Sequence, residues 1–309
     1  MPAAPALVIV ATLLLTPALL GGSVARAGAG PWERVGGLVA LFGLLSILLP
    51  AAPWPWVGLH TRWIVLVGAG ACAVVALGRL RATKIHRPTL VEGIGATVGV
   101  AMGAGFGWLG VEAARGRRVD EPAVELRFPL EGGRFVIGSG GSTAVLNGHA
   151  GVPAQRYALD IEALGPRGWR AHGLYPAELD AYAVWEAQVV APCDGEVLNA
   201  EDGLPDLPPG DRDVTHIAGN HVVLDCGGVT VLLAHLREET VAVAPQQRVR
   251  AGDPIGRVGN TGNTSEPHLH VHAVWGRQLA FRALVGTGEA VPMTFGGRFL
   301  VRNDVVAAP

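Results

Sequence analysis

Four long stretches without an acidic or basic residue, all of them before Arg115, constrain this chain more than any other feature. They run from about Ala6 to Gly22, Val35 to Leu59, Trp63 to Gly78 and Gly93 to Val111. Each approaches or exceeds the roughly 18 to 20 apolar residues a helix needs to cross a bilayer. The third is short, but the stems of Arg62 and Arg79 at its ends can snorkel to the interface. Residues 1–114 therefore read as an α-helical transmembrane region of about four helices, residues 115–122 as a linker and residues 123–309 as a separate domain. A cleaved signal peptide is the rival reading of the first stretch, but no Lys or Arg precedes it and it exceeds the usual apolar core of such a signal.

Within this region Gly95, Gly99, Gly103 and Gly107 recur every fourth residue, forming a helix face that a partner helix could approach closely. A dinucleotide fingerprint is excluded, because these glycines lie inside an apolar helix and not between a strand and a helix. Trp54 and Trp56, among three prolines, read as an interfacial belt. Arg26, Arg34, Arg79, Arg81, Lys84 and Arg87 mark two loops as cytoplasmic. Arg62, Arg115, Arg117 and Arg118 oppose that orientation, which puts both chain ends outside. The spans carry only Glu92 and Glu112 near their ends, so anchoring is favoured over transport.

The formal net charge is −2 and no basic run is interleaved with aromatics, which argues against a nucleic-acid partner. Three cysteines are too few for a disulfide scaffold. Cys193 and Cys226 either form one bridge in an oxidising compartment or remain two buried thiols.

Beyond the linker the text changes to short Val- and Leu-rich runs broken by Gly, Pro, Asn and Asp, the pattern of an all-β domain. Strands are expected at Val124–Phe128, Arg156–Ile161, Gln188–Ala191, His221–Leu224 and Val229–Ala234. Two long polar segments, Gly165–Glu186 and Ala200–Gly219, are expected to rim a cleft. Eight of the ten histidines lie in this half, three of them in Pro267-His-Leu-His-Val-His272. On a strand, alternate side chains share a face, so His268, His270 and His272 stand in one row about 6.5 to 7 Å apart. Such a row can hold a metal with one ring and meet a water or substrate with its neighbour. No His-Glu-x-x-His helix and no Gly-x-Ser-x-Gly elbow occurs, which excludes the commonest helix-borne zinc protease and a serine hydrolase elbow.

Four segments together resemble the M23 (lysostaphin/LytM-like) metallopeptidase family. Gly252-Asp-Pro-Ile-Gly256 followed by Gly259-Asn-Thr-Gly-Asn-Thr-Ser-Glu-Pro-His-Leu-His270 resembles the family's glycine turn and His-x-His strand. Leu232-Leu-Ala-His-Leu236, Val190-Ala-Pro-Cys-Asp-Gly-Glu-Val197 and Gly219-Asn-His-Val-Val223 resemble its other strands, in the family's order. The resemblance implies a LytM-like all-β fold of the barrel-sandwich/duplicated hybrid type. It also implies a Zn2+ site with an upstream His, an Asp and the second His of His-x-His. On this sequence those are His149, Asp160 and His270, with His216 and His221 as fallbacks for the first. Many family members separate the His and Asp by four positions. Here position 156 is Arg, so the eleven-residue spacing needs Gly151, Val152 and Pro153 to loop the chain out and back.

Two imidazoles and one carboxylate leave the fourth tetrahedral position open, as in a catalytic site. His235 and His268 are the implied catalytic pair, one serving the water and the other the oxyanion or leaving group, with their division of labour open. His272 either nears the site or stays apart from it. The implied function is a membrane-embedded zinc metalloendopeptidase of peptidoglycan peptides, with its catalytic domain extracytoplasmic. The alternative is a catalytically inactive LytM-like module that activates a partner cell-wall hydrolase.

Overall fold

Proline and capping residues punctuate the N-terminal region into helices. The computed structural model describes residues 11–308, so Ala6 to Val10 of the first apolar stretch lie outside the described residues. A π-turn at Ala11–Leu15 leads into a helix at Thr16–Ala25, followed by helices at Pro31–Ala51, Thr61–Ala82 and Leu90–Arg115. Pro31 opens its helix where a missing N–H costs nothing, and the Glu33 carboxylate accepts the Gly30 N–H at 3.0 Å. Thr89 and Glu92 form a reciprocal capping box at the last helix: Glu92 accepts the Thr89 amide at 2.9 Å, and the Thr89 hydroxyl accepts the Glu92 amide at 3.3 Å.

Three of these helices are long and apolar enough to cross a bilayer, while Thr12–Ala25 is a shorter apolar helix. The second stretch stops at Ala51 and not at Leu59, because Pro53 and Pro55 cannot continue a helix and the chain turns through Trp54–Trp56. Trp54 is fully buried and donates to the Leu49 carbonyl at 3.1 Å, so it is a packing residue and not part of a belt. Arg34 is also buried, donating to the carbonyls of Val24, Arg26 and Ala27 at the end of the preceding helix. Of the glycine face, Gly99 and Gly103 are used within the chain. A Cβ on either would lie 2.4 Å from Gly36 or 2.5 Å from Val39, whereas Gly107 faces open space.

The chain divides into two compact units, Met1–Ala114 and Arg115–Pro309. The second contains β1 (Val124–Leu126), β2 (Gly133–Ser139), β3 (Leu159–Ala163), β4 (Gln188–Val190), β5 (Gly195–Glu201), β6 (Asn220–Asp225) and β7 (Val229–Leu236). It continues with β8 (Arg248–Val249), β9 (Pro254–Arg257), β10 (Leu269–Trp275), β11 (Ala290–Val291), β12 (Met293–Phe295), β13 (Arg298–Phe299) and β14 (Val305–Ala308). The main sheet runs β14-β2-β3-β10-β7-β6-β5-β8, with β11 added to the far end of β10. Its pairings are antiparallel.

Period-two alternation divides this sheet into two faces. Ile137, Leu159, Ile161, Leu224, Val231, Leu233, Leu269 and Val271 enter the main core, each burial worth roughly 1.5–3 kcal/mol. The alternate residues of the same strands, including Val223, Leu232, Ala234 and Val274, form a smaller cluster with Ala154, Ala218 and Leu284. His270 and His272 share that second face, opposite Ala234 and Leu232. The third strand starts at Leu159, later than its sequence suggests, because Pro153–Gln155 forms a 3-10 turn ahead of it. Cys193 and Cys226 are bridged, joining the turn before β5 to the turn after β6.

Candidate metal centre

Register brings the first two site residues together. Asp160 on β3 lies directly opposite His270 on β10, and cross-strand partners share a face. His270 Nδ1 is 2.9 Å from Asp160 Oδ1. On its other flank His270 pairs with Ala234, whose small side chain leaves the space open.

His149 arrives from a loop. Asn147, fully buried, holds that loop closed: its Nδ2 faces the carbonyls of Gly141, Arg156 and Ala158 at 2.9, 3.1 and 3.1 Å, and its Oδ1 accepts the His149 amide at 2.9 Å. The chain then turns at His149–Val152 and again through Pro153–Gln155. This returns the His149 ring to Asp160, with Nε2 at 2.8 and 3.0 Å from the two carboxylate oxygens. The eleven-residue spacing is thus closed by an excursion braced on one asparagine.

His235 reaches the site through a bulge. Asn220 pairs with Leu236 and Val222 with Leu233, so β7 spends an extra residue against β6. His235 takes φ of 63°, a left-handed conformation rare for a non-glycine residue. Strict alternation would turn it away from Ala234's face. The bulge instead brings its ring to 4.9 Å from that of His268 and 5.9 Å from that of His270, centroid to centroid. His235 Nδ1 lies 2.8 Å from the Thr261 carbonyl, and His268 Nδ1 lies 2.8 Å from the Glu266 carbonyl. A carbonyl can only accept, so both rings carry hydrogen on Nδ1 and present a bare Nε2 when neutral. His268 Nε2 is 3.5 Å from Asp160 Oδ1.

Both long polar segments fasten to the turn that delivers His268. Buried Arg170 donates to both oxygens of Glu266, at 3.0 and 2.6 Å, and Tyr175 donates to the Ser265 carbonyl. The other segment bonds through the amides of Leu207, Gly210 and Asp213 to Asn260, Ser265 and Gly262. Gly219 and Gly262 meet backbone to backbone, where a Cβ on Gly262 would lie 2.4 Å from the Gly219 nitrogen. Among the described residues, these rims are hydrogen-bonded walls.

The electrostatics suit a cation. Burial by itself would raise the Asp160 carboxyl, but the His149 and His268 charges and the hydrogen bonds of His149 and His270 outweigh it and hold the group well below the ordinary carboxylate range. The Asp160 charge raises His149, whereas burial pushes His235 well down and lowers His270. Burial also drives Glu266 up to about 7.

Among the described residues, two groups of possible ligands share His270, namely His149/Asp160/His270 and His235/His268/His270, each with its ligand atoms within 4.8 Å of one another. The first contains the only anion and matches the zinc preference for nitrogen and carboxylate oxygen. Its His149–Asp160 and Asp160–His270 separations, 3.0 and 2.9 Å, are a little under the roughly 3.3 Å edge of a tetrahedral zinc site, so small side-chain rotations suffice. The donors fit the ion.

Of the sequence-derived candidates, His149, Asp160, His235, His268 and His270 come together. His216 is exposed beside Asp213, and His221 is buried against Phe281 with its Nδ1 2.7 Å from the Gly219 carbonyl. His272 lies next to His270, Nδ1 to Nε2 at 2.9 Å. Sequence reasoning passed over Asn147, Arg170 and Glu266. Their side chains act through backbone carbonyls and long-range pairing, which leave no spacing signal.

Residues 179–280 match the family model described as Peptidase family M23. His149 and Asp160 precede the matched stretch. Over 121 residues the chain is 32% identical to the peptidoglycan DD-endopeptidase ShyA of Vibrio cholerae serotype O1, covering 37% of this chain and 28% of that protein. A zinc-containing peptidase from Vibrio cholerae is 19% identical with a TM-score of 0.24, covering 38% of this chain and 46% of the other. The antimicrobial peptidase lysostaphin from Staphylococcus simulans is 20% identical with a TM-score of 0.22, covering 35% and 42%.

Proposed function

We propose that this chain, which carries a peptidase family M23 domain, is a membrane-anchored zinc metalloendopeptidase acting on the peptide part of bacterial peptidoglycan. One observation carries the reading: five side chains from four separate parts of the sequence, His149, Asp160, His235, His268 and His270, gather in one cluster, three of them as a zinc-competent donor set. The apolar helices at Pro31–Ala51, Thr61–Ala82 and Leu90–Arg115 are of spanning length, and the Cys193–Cys226 bridge suits an oxidising, extracytoplasmic compartment.

His149, Asp160 and His270 would hold the ion. When bound, zinc supplies Lewis acidity, drawing electron density from a substrate carbonyl and lowering the pKa of water. Beside it, the bare Nε2 atoms of His235 and His268 are positioned to take a proton from water and, once protonated, to donate to the carbonyl oxygen as it gains charge and to return the proton to the leaving amine. Their Nδ1–H bonds to the Thr261 and Glu266 carbonyls fix the ring orientations that this exchange requires. The inactive regulatory module would have no need of all five side chains, so their joint presence favours the enzyme.

The test is metal content and wall-peptide cleavage by the full chain in detergent. About one zinc per chain is expected, with His270→Ala abolishing both metal binding and release of new amino termini from purified peptidoglycan. Cleavage that survives His270→Ala or zinc removal overturns the assignment.

A further inference from the structure

The Ala283–Thr287 turn lies just beyond the stretch matched to the family and against the second face of the sheet, where Leu284 packs with Ala154, Ala218 and Val274. Two of its consecutive carbonyls meet buried or half-buried side chains of this face. The Leu284 carbonyl is 2.8 Å from His272 Nε2, and the Val285 carbonyl accepts from Gln155 Nε2 at 2.7 Å. His272 is itself buried, at 1% exposure, and neither the substrate-facing pair nor the ligand set uses it.

The hydrogen positions along this path follow from one fixed end. A carbonyl oxygen cannot donate, so His272 must carry hydrogen on Nε2. In a neutral ring its Nδ1 is then a bare acceptor. The atom 2.9 Å away is His270 Nε2, which must donate. That leaves His270 Nδ1 with its lone pair, and this is the atom 2.9 Å from Asp160 Oδ1. The opposite assignment would place two acceptors face to face at the Leu284 carbonyl, in a dry interior where nothing relieves the repulsion. The chosen one puts them face to face at His270 and Asp160, the place where a cation removes it.

We propose that His272 is a positioning residue which, anchored on the Leu284 carbonyl of the Ala283–Thr287 turn, locks His270 in the tautomer that presents Nδ1 to the metal. This inference rests on the ligand set of the preceding reading. It adds His272 and, from outside the matched stretch, the Leu284 carbonyl to the machinery. A ligand histidine that donates its other ring nitrogen to a fixed acceptor is preorganised, and loss of that acceptor typically costs 10- to 100-fold in metal affinity.

The experiment uses full chain labelled with 15N-histidine, in detergent, stripped of zinc and held about two pH units above the ordinary histidine value. Ring 15N spectra, assigned with His272→Asn and His270→Ala, are expected to place hydrogen on Nε2 in both His270 and His272. Hydrogen on Nδ1 of His272 overturns the proposal without recourse to any variant. Zinc affinity, read by chelator competition, is expected to fall about 10- to 100-fold in His272→Leu. His272→Asn, whose Oδ1 can replace Nδ1 as acceptor, is expected to recover most of that loss. Wild-type affinity in a folded His272→Leu chain, or equal loss in both variants, overturns the positioning role. A wild-type chain that binds no zinc would instead remove the metallopeptidase assignment, while the spectra would still decide the tautomers.

Discussion

Replacing Asn147 by alanine tests whether the site depends on a residue that touches neither metal nor substrate. The side chain offers two amide hydrogens to the carbonyls of Gly141, Arg156 and Ala158 and one oxygen to the His149 amide. That amounts to about three net hydrogen bonds at about 1 kcal/mol each, or about 3 kcal/mol of loop stability. The loss falls on the 141–158 excursion and not on the sheet, so it appears as local opening. Three kcal/mol is about a hundredfold in an opening equilibrium. Hydrogen exchange followed by mass spectrometry on Asn147→Ala is therefore expected to show about hundredfold faster exchange in peptides covering 141–158. Peptides from β7 and β10 should be unchanged, and zinc affinity should fall because His149 is no longer held against Asp160. Unaltered exchange in 141–158 together with wild-type zinc affinity would refute the claim that Asn147 closes the loop.

Four further outcomes follow from the same geometry. His268→Gln is expected to lower kcat by about 10²- to 10⁴-fold with zinc content unchanged, and loss of the metal in that variant would move His268 into the ligand set. Arg170→Met strands a carboxylate whose side chain is only 9% exposed and should destabilise the domain by about 3–5 kcal/mol. Thermal unfolding should show this, with much of the loss recovered by adding Glu266→Met, and a wild-type midpoint in the single variant counts against the pair's role. Reducing Cys193–Cys226, 33 residues apart, should cost about 3–4 kcal/mol on loop-closure grounds, measurable as a lowered midpoint with reductant. Burial depresses His221 below its ordinary value, so its contribution is intact above about pH 6.5 and is lost as pH falls toward the folded-state pKa. His221→Asn should give a shallower acid limb of stability, and an unchanged limb would disprove that source.

The histidine row was legible because its signal is local. Alternation on a strand is enough to put His270 and His272 on one face, and the glycine-rich run before His268 marks a turn whatever surrounds it. The apolar stretches were legible for a similar reason, since length and the lack of charge are properties of a segment. Their ends were less so. Trp54 reads as an interfacial residue by composition, yet it is buried against the preceding helix end, and Arg34 reads as a topological charge while it caps the carbonyls of Val24, Arg26 and Ala27.

The rest was decided between segments. Alternation alone would turn His235 away from the site, and it reaches its neighbours only because β7 pairs with β6 across a bulge that forces φ of 63°. The His149 excursion is closed by Asn147, a residue type with no helical or strand period to reveal it. Residue type and short-range spacing suffice to say which side chains can bind a metal and what the segments around them prefer, because those depend on covalent chemistry and backbone period. Which side chains meet, and which ring nitrogen each histidine presents, depends on strand register, one bulge and a few carbonyls brought in from distant residues, and these exist only once the chain has folded.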